Sequence, residues 1–117
     1  MQYFEYEEFD SPDIQGSGQL MDPKLLDMID EARKIYGKPI HVNSGYRTSS
    51  HNRKVGGKSS SSHLKGLAID VACVRSDERF KMLNALLEVG FNRIGVAGTF
   101  IHVDIDKVKT QNVIWTY

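Results

Sequence analysis

The chain has 117 residues, with 15 basic and 15 acidic side chains and a formal net charge of zero at pH 7. That length suits one domain, so we treat residues 1–117 as a single unit. The balanced charge argues against a nucleic-acid partner or an anionic membrane held by bulk electrostatics. No apolar run reaches the roughly 18 residues that a membrane-spanning helix needs, and we expect a monomer.

Cys73 is the only cysteine, which excludes an internal disulfide and a cysteine-rich zinc site. Its apolar neighbours in AIDVAC favour a buried, inert thiol. The N-terminal stretch MQYFEYEEFD has neither a basic region nor an apolar core, so no signal peptide is predicted. We therefore expect synthesis in the cytoplasm, and a target outside it would need another route of delivery.

The N-terminal part of the chain is predicted to be an irregular segment followed by a helix. Residues 1–19 mix aromatic and acidic side chains, and the anchors of this segment would be Tyr3, Phe4, Tyr6 and Phe9. The helix begins after Asp22, a good N-cap, with Pro23 in its first turn, and Gly37 suits its C-terminal end. Its apolar face would consist of Leu25, Met28, Ile29, Ala32 and Ile35.

The remainder of the chain is predicted to contain short strands and a second helix. The strands are PIHVNS, GLAIDVAC, RIGVA and FIHVDID, the last two joined by a hairpin at Gly98-Thr99, and NVIWTY would add another. Ser76 is a candidate cap for the second helix, whose apolar face would hold Phe80, Leu83, Leu86 and Leu87. The polar, glycine-rich residues 45–62 form a long connection, which in a small domain is usually functional or disordered. This order favours an α+β fold with a small, mostly antiparallel sheet and two main helices packed on it.

Asp70 is the one charged residue in the apolar strand GLAIDVAC. Strand alternation places it on one face between Ala68 and Ala72, which leaves space beside its carboxylate. A buried carboxylate without a partner is costly, so Asp70 needs a cation or strong hydrogen-bond donors. That cation could be either a metal ion or an arginine.

His102, Asp104 and Asp106 share one face of the strand FIHVDID, opposite its apolar residues. Taken alone, this pattern also suits an edge strand with a solvated polar face. Together with His63 and Asp70, however, the pattern supplies two histidines and an aspartate. Three such ligands with an open position for water are typical of a catalytic zinc centre.

Three blocks of the sequence resemble a known enzyme family. SSHLKGLAID fits its pattern Ser-x-His-x-x-Gly-x-Ala-x-Asp, SGYRTSSHNRKVGG resembles its Ser-Gly-Tyr-Arg block, and FIHVDID resembles the strand of its third ligand. The family is the zinc D-Ala-D-Ala carboxypeptidases and peptidoglycan endopeptidases, akin in structure to the zinc domain of hedgehog proteins. Its small bacteriophage and bacterial subfamily looks most similar. The resemblance covers roughly residues 20–106 and implies a hedgehog-like peptidase fold.

The resemblance implies roles for individual residues. His63, Asp70 and His102 would bind one Zn²⁺ ion. Arg47 would polarise the scissile carbonyl and hold the developing oxyanion, a task that suits a fixed cation. A structural pair between Arg47 and an acid is the alternative.

Four further residues each have two interpretations. Ser61 occupies a motif position where a hydroxyl would bind substrate or backbone, with simple solvation of the loop as the alternative. Tyr46 would support the loop or line a substrate cleft. Trp115 and Tyr117 are expected to pack on the core rather than line a groove for a peptide stem.

One departure from the family pattern concerns the proton carrier. Members of the family place a glutamate, aspartate or histidine just upstream of the third ligand, where this chain has Thr99, Phe100 and Ile101. The remaining candidate is Asp104, on the same strand face as the third ligand. It could act as general base or as an outer carboxylate that orients a ligating histidine. Asp106, farther along that face, is expected to be solvated.

The expected activity is zinc-dependent hydrolysis of peptide stems or cross-links in bacterial peptidoglycan, of the carboxypeptidase or endopeptidase type. A phage lysin released to the cell wall is one setting that fits the small size and the absent signal. A non-catalytic zinc module that binds cell wall or a partner protein is the alternative, because the upstream base is missing. A metal-free domain with a polar cleft is a third interpretation.

Overall fold

The computed structural model describes residues 1–117 and contains three α-helices and five strands. The helices are α1 (Pro23–Tyr36), α2 (Ser49–Lys54) and α3 (Ser76–Glu88). The strands are β1 (Val42–Ser44), β2 (Ala68–Ala72), β3 (Arg93–Val96), β4 (Phe100–Asp104) and β5 (Val113–Thr116). Short 3₁₀ turns occupy Tyr6–Phe9, Ser17–Leu20 and Ser62–Lys65. None of the helices combines the length and the apolar character that crossing a membrane requires.

The five strands form one sheet in the order β1-β2-β4-β3-β5. Every neighbouring pair is antiparallel except β3 and β5, which are parallel. The hairpin between β3 and β4 closes with a hydrogen bond of 3.0 Å from the Ala97 N–H to the Phe100 carbonyl. The predicted α+β class, mostly antiparallel sheet, hairpin and C-terminal strand are therefore confirmed, and the structure adds α2 as a third, shorter helix.

The register of β2 against β4 decides which polar side chains meet. Asp70 lies directly opposite His102, and Ala68 lies directly opposite Asp104. Opposite residues of an antiparallel pair project from the same face, with Cβ atoms about 4.5–5.5 Å apart. The sheet therefore places two of the predicted ligands side by side and leaves a small alanine next to Asp104.

The opposite face of the sheet carries the hydrophobic core. Ile69 and Val71 of β2 and Ile101 and Val103 of β4 are fully buried. They belong to one apolar cluster with side chains of α1 and α3. Period-two alternation produces this division, because the residues between them point to the polar face.

Aromatic side chains anchor residues 1–19, as predicted, with one exception. Phe4 and Phe9 are buried in the core with ring centroids 5.5 Å apart, and Tyr3 packs against its edge. Tyr6 is 45% exposed, so its predicted role as an anchor is wrong. The Phe9 carbonyl accepts a hydrogen bond of 2.9 Å from the Tyr46 N–H, which ties the segment to the loop before α2.

Helix α1 has the ends that its sequence predicts. The Asp22 carboxylate accepts a hydrogen bond of 2.8 Å from the Lys24 N–H, which satisfies one of the free donors of the first turn. Gly37 follows the helix in the left-handed conformation, with φ of +81°. Ile35 is half exposed, so it lies at the edge of the buried face. That face consists of Leu25, Leu26, Ile29 and Ala32.

Helix α3 buries only part of the face predicted for it, since Leu86 is buried and Leu83 packs against the core. Phe80 is 70% exposed and Leu87 is 49% exposed, and both therefore lie on the outer side. Apolar residues occur on both sides of this helix, so spacing alone does not select between two overlapping faces. Ser76 is not the cap either, because it begins the helix and Arg75 precedes it without a side-chain cap. The buried residues are Met82, Ala85 and Leu86.

The polar connection at residues 45–62 is more ordered than its composition suggests. Thr48 caps α2, because its Oγ1 accepts a hydrogen bond of 3.1 Å from the His51 N–H. Asn52 is buried, and its side-chain amide donates to the Lys58 carbonyl at 2.9 Å. The connection is therefore a capped helix followed by a closed loop.

Gly66 is a position where we expect any side chain to destabilise the fold. Its φ is +70°, and an added Cβ would lie 2.3 Å from the Leu20 carbonyl oxygen. The left-handed conformation alone costs alanine about 1–2 kcal/mol, so Gly66→Ala should lower the free energy of unfolding by more than that.

Gly37→Ala is the matched control, because φ is +81° and nothing lies within 4 Å of an added Cβ. Urea denaturation of both variants measures the difference. Equal losses for the two variants would contradict the expected clash between residue 66 and the Leu20 carbonyl.

Candidate metal centre and cleft

His63 is held in one orientation by the turn that carries it. Ser61 caps the 3₁₀ turn through a hydrogen bond of 3.3 Å from the His63 N–H to its Oγ. The His63 ring is buried, and its Nδ1 lies 2.8 Å from the Gly45 carbonyl oxygen. Because a carbonyl oxygen can only accept, Nδ1 carries the proton and Nε2 has its lone pair free. Nε2 lies 3.3 Å from Asp70 Oδ2.

His102 has a similar arrangement with the two nitrogens exchanged. Its Nδ1 lies 2.8 Å from Asp70 Oδ1, and its Nε2 lies 2.8 Å from Asp104 Oδ2. When Nε2–H donates to Asp104, the lone pair of Nδ1 faces Asp70. A carboxylate or carbonyl behind each ring is the usual partner of metal-bound histidines, because it fixes the tautomer and the ring orientation.

The two histidines and Asp70 form a group that fits a metal ion. One ligand atom from each of His63, Asp70 and His102 lies within 4.8 Å of the others. The two histidine rings approach edge to face, with centroids 5.3 Å apart. Two imidazole nitrogens and one carboxylate oxygen are a donor set that suits zinc, with further positions left for water or substrate.

The two histidines also favour the ionised form of Asp70 when the ring nitrogens that face it carry protons. Burial raises the pKa of Asp70, but donation from protonated His102 and His63 outweighs that effect and holds the pKa well below its usual range. Burial lowers the pKa of His102, and the Asp104 and Asp70 carboxylates overcome this and raise it. A metal ion would displace the extra proton, because histidine binds metals in its neutral form.

Asp104 is buried, and both of its oxygens are engaged. Oδ2 faces His102, while Oδ1 accepts hydrogen bonds of 2.6 Å from Arg93 Nε and 3.1 Å from the Asp106 N–H. Burial raises the pKa of Asp104, but the bonds from His102 and Arg93 outweigh it and lower the pKa. Of the two predicted roles for Asp104, this geometry favours the carboxylate that orients a histidine.

Arg93 is a site residue that sequence reasoning missed. It lies at the start of β3, is 9% exposed, and also donates to the Thr110 carbonyl through Nη1 at 2.5 Å. A single arginine at a strand end looks like a surface residue in the sequence. Only the pairing of β3 with β4 reveals that it faces the buried Asp104.

Arg47 lies at the rim of the metal group and is fixed by three partners. Nε donates to Ser44 Oγ at 3.0 Å, Nη1 donates to Asn52 Oδ1 at 3.3 Å, and Nη2 lies 3.4 Å from Asp70 Oδ2. The structural pair with an acid is therefore present. It does not remove Arg47 from the cleft, since its side chain still lines the cavity beside the metal group.

A cleft of about 410 Å³ opens over the metal group. Its walls include the loop at residues 56–62, the polar faces of β2 and β4, and the end of the chain. A second hollow of about 310 Å³ shares Arg47, Asp70 and Phe100 with the first and extends towards His51. The metal group therefore lies between two hollows, with space on both sides of it.

Ser61 and Tyr46 are placed differently by the structure. Ser61 lines the cleft in addition to capping the turn of His63. Tyr46 packs against the core and is absent from the cleft lining. A contact of Tyr46 with substrate therefore stays a prediction without geometric support.

Two expectations about the far end of the site are wrong. Asp106 is 1% exposed rather than solvated, since Oδ2 accepts from Ser62 Oγ at 2.8 Å and from Lys65 Nζ at 3.2 Å. Trp115 and Tyr117 line the cleft rather than the core.

Strand β5 brings the Trp115 ring against the metal group. The ring lies 5.6 Å from the His102 ring, centroid to centroid, and the Arg93 guanidinium lies 5.1 Å from its centroid. The close approach depends on Gly95, because a Cβ there would lie 2.6 Å from Trp115 Nε1.

Comparison with known proteins gives one finding. A family model described as Peptidase M15 matches residues 2–106 of the chain. No curated protein matches the chain. The matched range contains the three members of the metal group together with Arg47, Arg93 and Asp104, and it ends before β5.

Proposed function

Because the chain belongs to the M15 peptidases, a family of zinc D-Ala-D-Ala carboxypeptidase-like enzymes, we propose that it hydrolyses peptide bonds in the stems or cross-links of bacterial peptidoglycan. The observation that carries the proposal is the convergence of one ligand atom each from His63, Asp70 and His102 within 4.8 Å. One Zn²⁺ ion is the cofactor that we assign to this group.

Zinc bound there would act as a Lewis acid and would lower the pKa of a bound water to about 7. The side chains and backbone prepare the position for it. The Gly45 carbonyl holds the proton of His63 at Nδ1, and Asp104 holds the proton of His102 at Nε2. Each ring is thereby left with its other nitrogen for the metal. We assign Asp104 this orienting role rather than that of general base, because both of its oxygens are engaged.

Arg47 is the group that we assign to the developing oxyanion. Its guanidinium is held by Ser44 and Asn52 at the rim of the metal group, so it needs little reorganisation during the reaction. Removing one such donor typically lowers kcat by about 10²–10³. The same cation also polarises the scissile carbonyl before the attack.

The hollows on both sides of the metal group support a peptide substrate that continues in either direction from the scissile bond. Such a cleft accommodates a cross-link endopeptidase substrate as well as a D-Ala-D-Ala carboxypeptidase substrate. An enzyme of this kind acts at the cell wall, and release as a phage lysin is the setting that we propose. Cleavage at that location requires no membrane or nucleic-acid partner.

A non-catalytic zinc module that binds cell wall or a partner protein is the second candidate. The observation that favours it is the lining of the cleft, where the only carboxylates are Asp70 and Asp104. Both are already engaged with histidines, so neither is free to accept a proton.

Digestion of purified cell walls with the zinc-loaded protein tests the proposal. We expect new peptide ends that mass spectrometry of the products identifies, and we expect a chelator to stop their formation and added zinc to restore it. The control is the same walls with the chelated protein. A folded protein that keeps zinc and binds walls but releases no product would favour the non-catalytic module. A folded protein that takes up no zinc would contradict both candidates.

A further inference from the structure

A cluster of two lysines, a serine and an aspartate flanks the metal group on one side. Asp106 is buried and accepts hydrogen bonds from Ser62 Oγ at 2.8 Å and from Lys65 Nζ at 3.2 Å. Lys109 Nζ donates to Ser62 Oγ at 2.8 Å and lies 3.9 Å from Asp106 Oδ2. Ser62 immediately precedes the ligand His63, so the cluster is attached directly to the site.

The cluster carries more positive than negative charge. One carboxylate, Asp106, faces the two ammonium groups of Lys65 and Lys109. Lys65 is the closer partner, and hydrogen bonding with Ser62 and Lys65 outweighs the effect of burial and lowers the pKa of Asp106. Lys65 does not line the cleft, whereas Lys109 does. The uncompensated charge of the cluster is therefore on the side that faces the cleft.

Lys109 is positioned as an anchor for an anion. Its ammonium group has three donors, of which the hydrogen bond to Ser62 uses one. Its side chain is 30% exposed, so the remaining donors can be reached from the cleft. Lys58 lines the same hollow and has no ion-pair partner. Arg47 lines both hollows, but the second hollow has no lysine in its walls, so the two lysines distinguish one side of the metal group from the other.

We propose that Lys109, supported by Lys58, is a specificity-determining residue that binds a carboxylate of the peptide substrate in this hollow. The inference rests on the proposed function, since the ligand is a peptidoglycan stem. Stems with lysine at the third position offer two kinds of carboxylate, the C-terminal one and the α-carboxylate of a γ-linked glutamate. Either carboxylate would exchange water for the ammonium group of Lys109 and form a charge-assisted hydrogen bond, which is stronger than a bond between neutral groups.

A binding and cleavage experiment with synthetic stem pentapeptides tests this anchor. The set contains the free acid, its C-terminal amide, and the peptide with isoglutamine in place of the glutamate. For Lys109→Met we expect KM and Kd for the free acid to rise about tenfold, with kcat little changed. For one of the two neutral peptides, Lys109→Met should leave KM and Kd unchanged. The carboxylate that this peptide lacks is the one that Lys109 binds. Lys58→Met should give a smaller shift of the same kind.

Lys65→Met is the matched control, because it removes the other lysine from Asp106 without removing a cleft residue. Lys65→Met should leave unchanged the preference for the free acid over the neutral peptides. If the wild type and folded Lys109→Met show the same preference, the role of Lys109 as an anchor is contradicted, even if cleavage proceeds normally. Loss of the preference in binding assays of a protein that cleaves nothing would support the anchor and contradict the peptidase function.

Discussion

Replacing Asp70 with asparagine is expected to abolish zinc binding and the proposed hydrolysis of cell-wall peptides. Asp70 is the only oxygen donor of the metal group, with Oδ1 2.8 Å from His102 and Oδ2 3.3 Å from His63. Changing an outer partner of a metal ligand already costs about 10–100-fold in metal affinity or activity. Loss of the charged ligand itself should exceed that range.

Zinc content after gel filtration and the rate of wall digestion measure the effect of Asp70→Asn. Asp27→Asn is the control for the change in net charge, because Asp27 is exposed on α1. That variant should keep both its zinc and its activity. Full zinc occupancy in Asp70→Asn would show that other residues hold the metal.

Replacing Arg93 with methionine should give the largest loss of stability among single substitutions at the site. Arg93 and Asp104 form a buried ion pair of 2.6 Å, with side chains 10% and 1% exposed. Removing one partner of such a pair typically costs about 3–5 kcal/mol, because an uncompensated charge is left behind. The hydrogen bonds from His102 and the Asp106 N–H remain, so we expect the lower end of that range.

The free energy of unfolding in urea measures this loss, with Arg53→Met on the exposed side of α2 as the control for removing a guanidinium group. The double variant Arg93→Met with Asp104→Asn should recover part of the stability, because the orphaned charge is gone. A loss below about 1 kcal/mol, as for an exposed pair, would contradict the role given to Arg93.

Strand alternation predicted the faces of Asp70 and His102 correctly, since period two leaves only one alternative for each strand. It could not predict that they lie opposite each other, because register depends on how β2 and β4 pair. The burial of Asp106 was missed for a similar reason. Asp106 follows the end of β4, and contacts with Ser62 and Lys65 from distant parts of the chain cover it.

The two helices show where a hydrophobic pattern determines the structure and where it does not. Helix α1 has a clear cap at Asp22 and a glycine at its end, and both predictions are confirmed. Helix α3 has apolar residues on both sides, so the position of Phe80 on the outer surface follows from packing against α1 rather than from periodicity. The polar composition of residues 45–62 likewise hid the hydrogen bonds that hold Asn52 and Arg47.

The residues after position 106, which include the parallel strand β5, add side chains to the cleft that the family-matched range does not contain. The proposed metal ligands and Arg47 all lie within residues 2–106, the range that matches the family. Lys109, Trp115 and Tyr117 line the cleft from the residues that follow. Exchange of residues 107–117 would therefore change these cleft walls, while residues 1–106 continued to supply the same metal group.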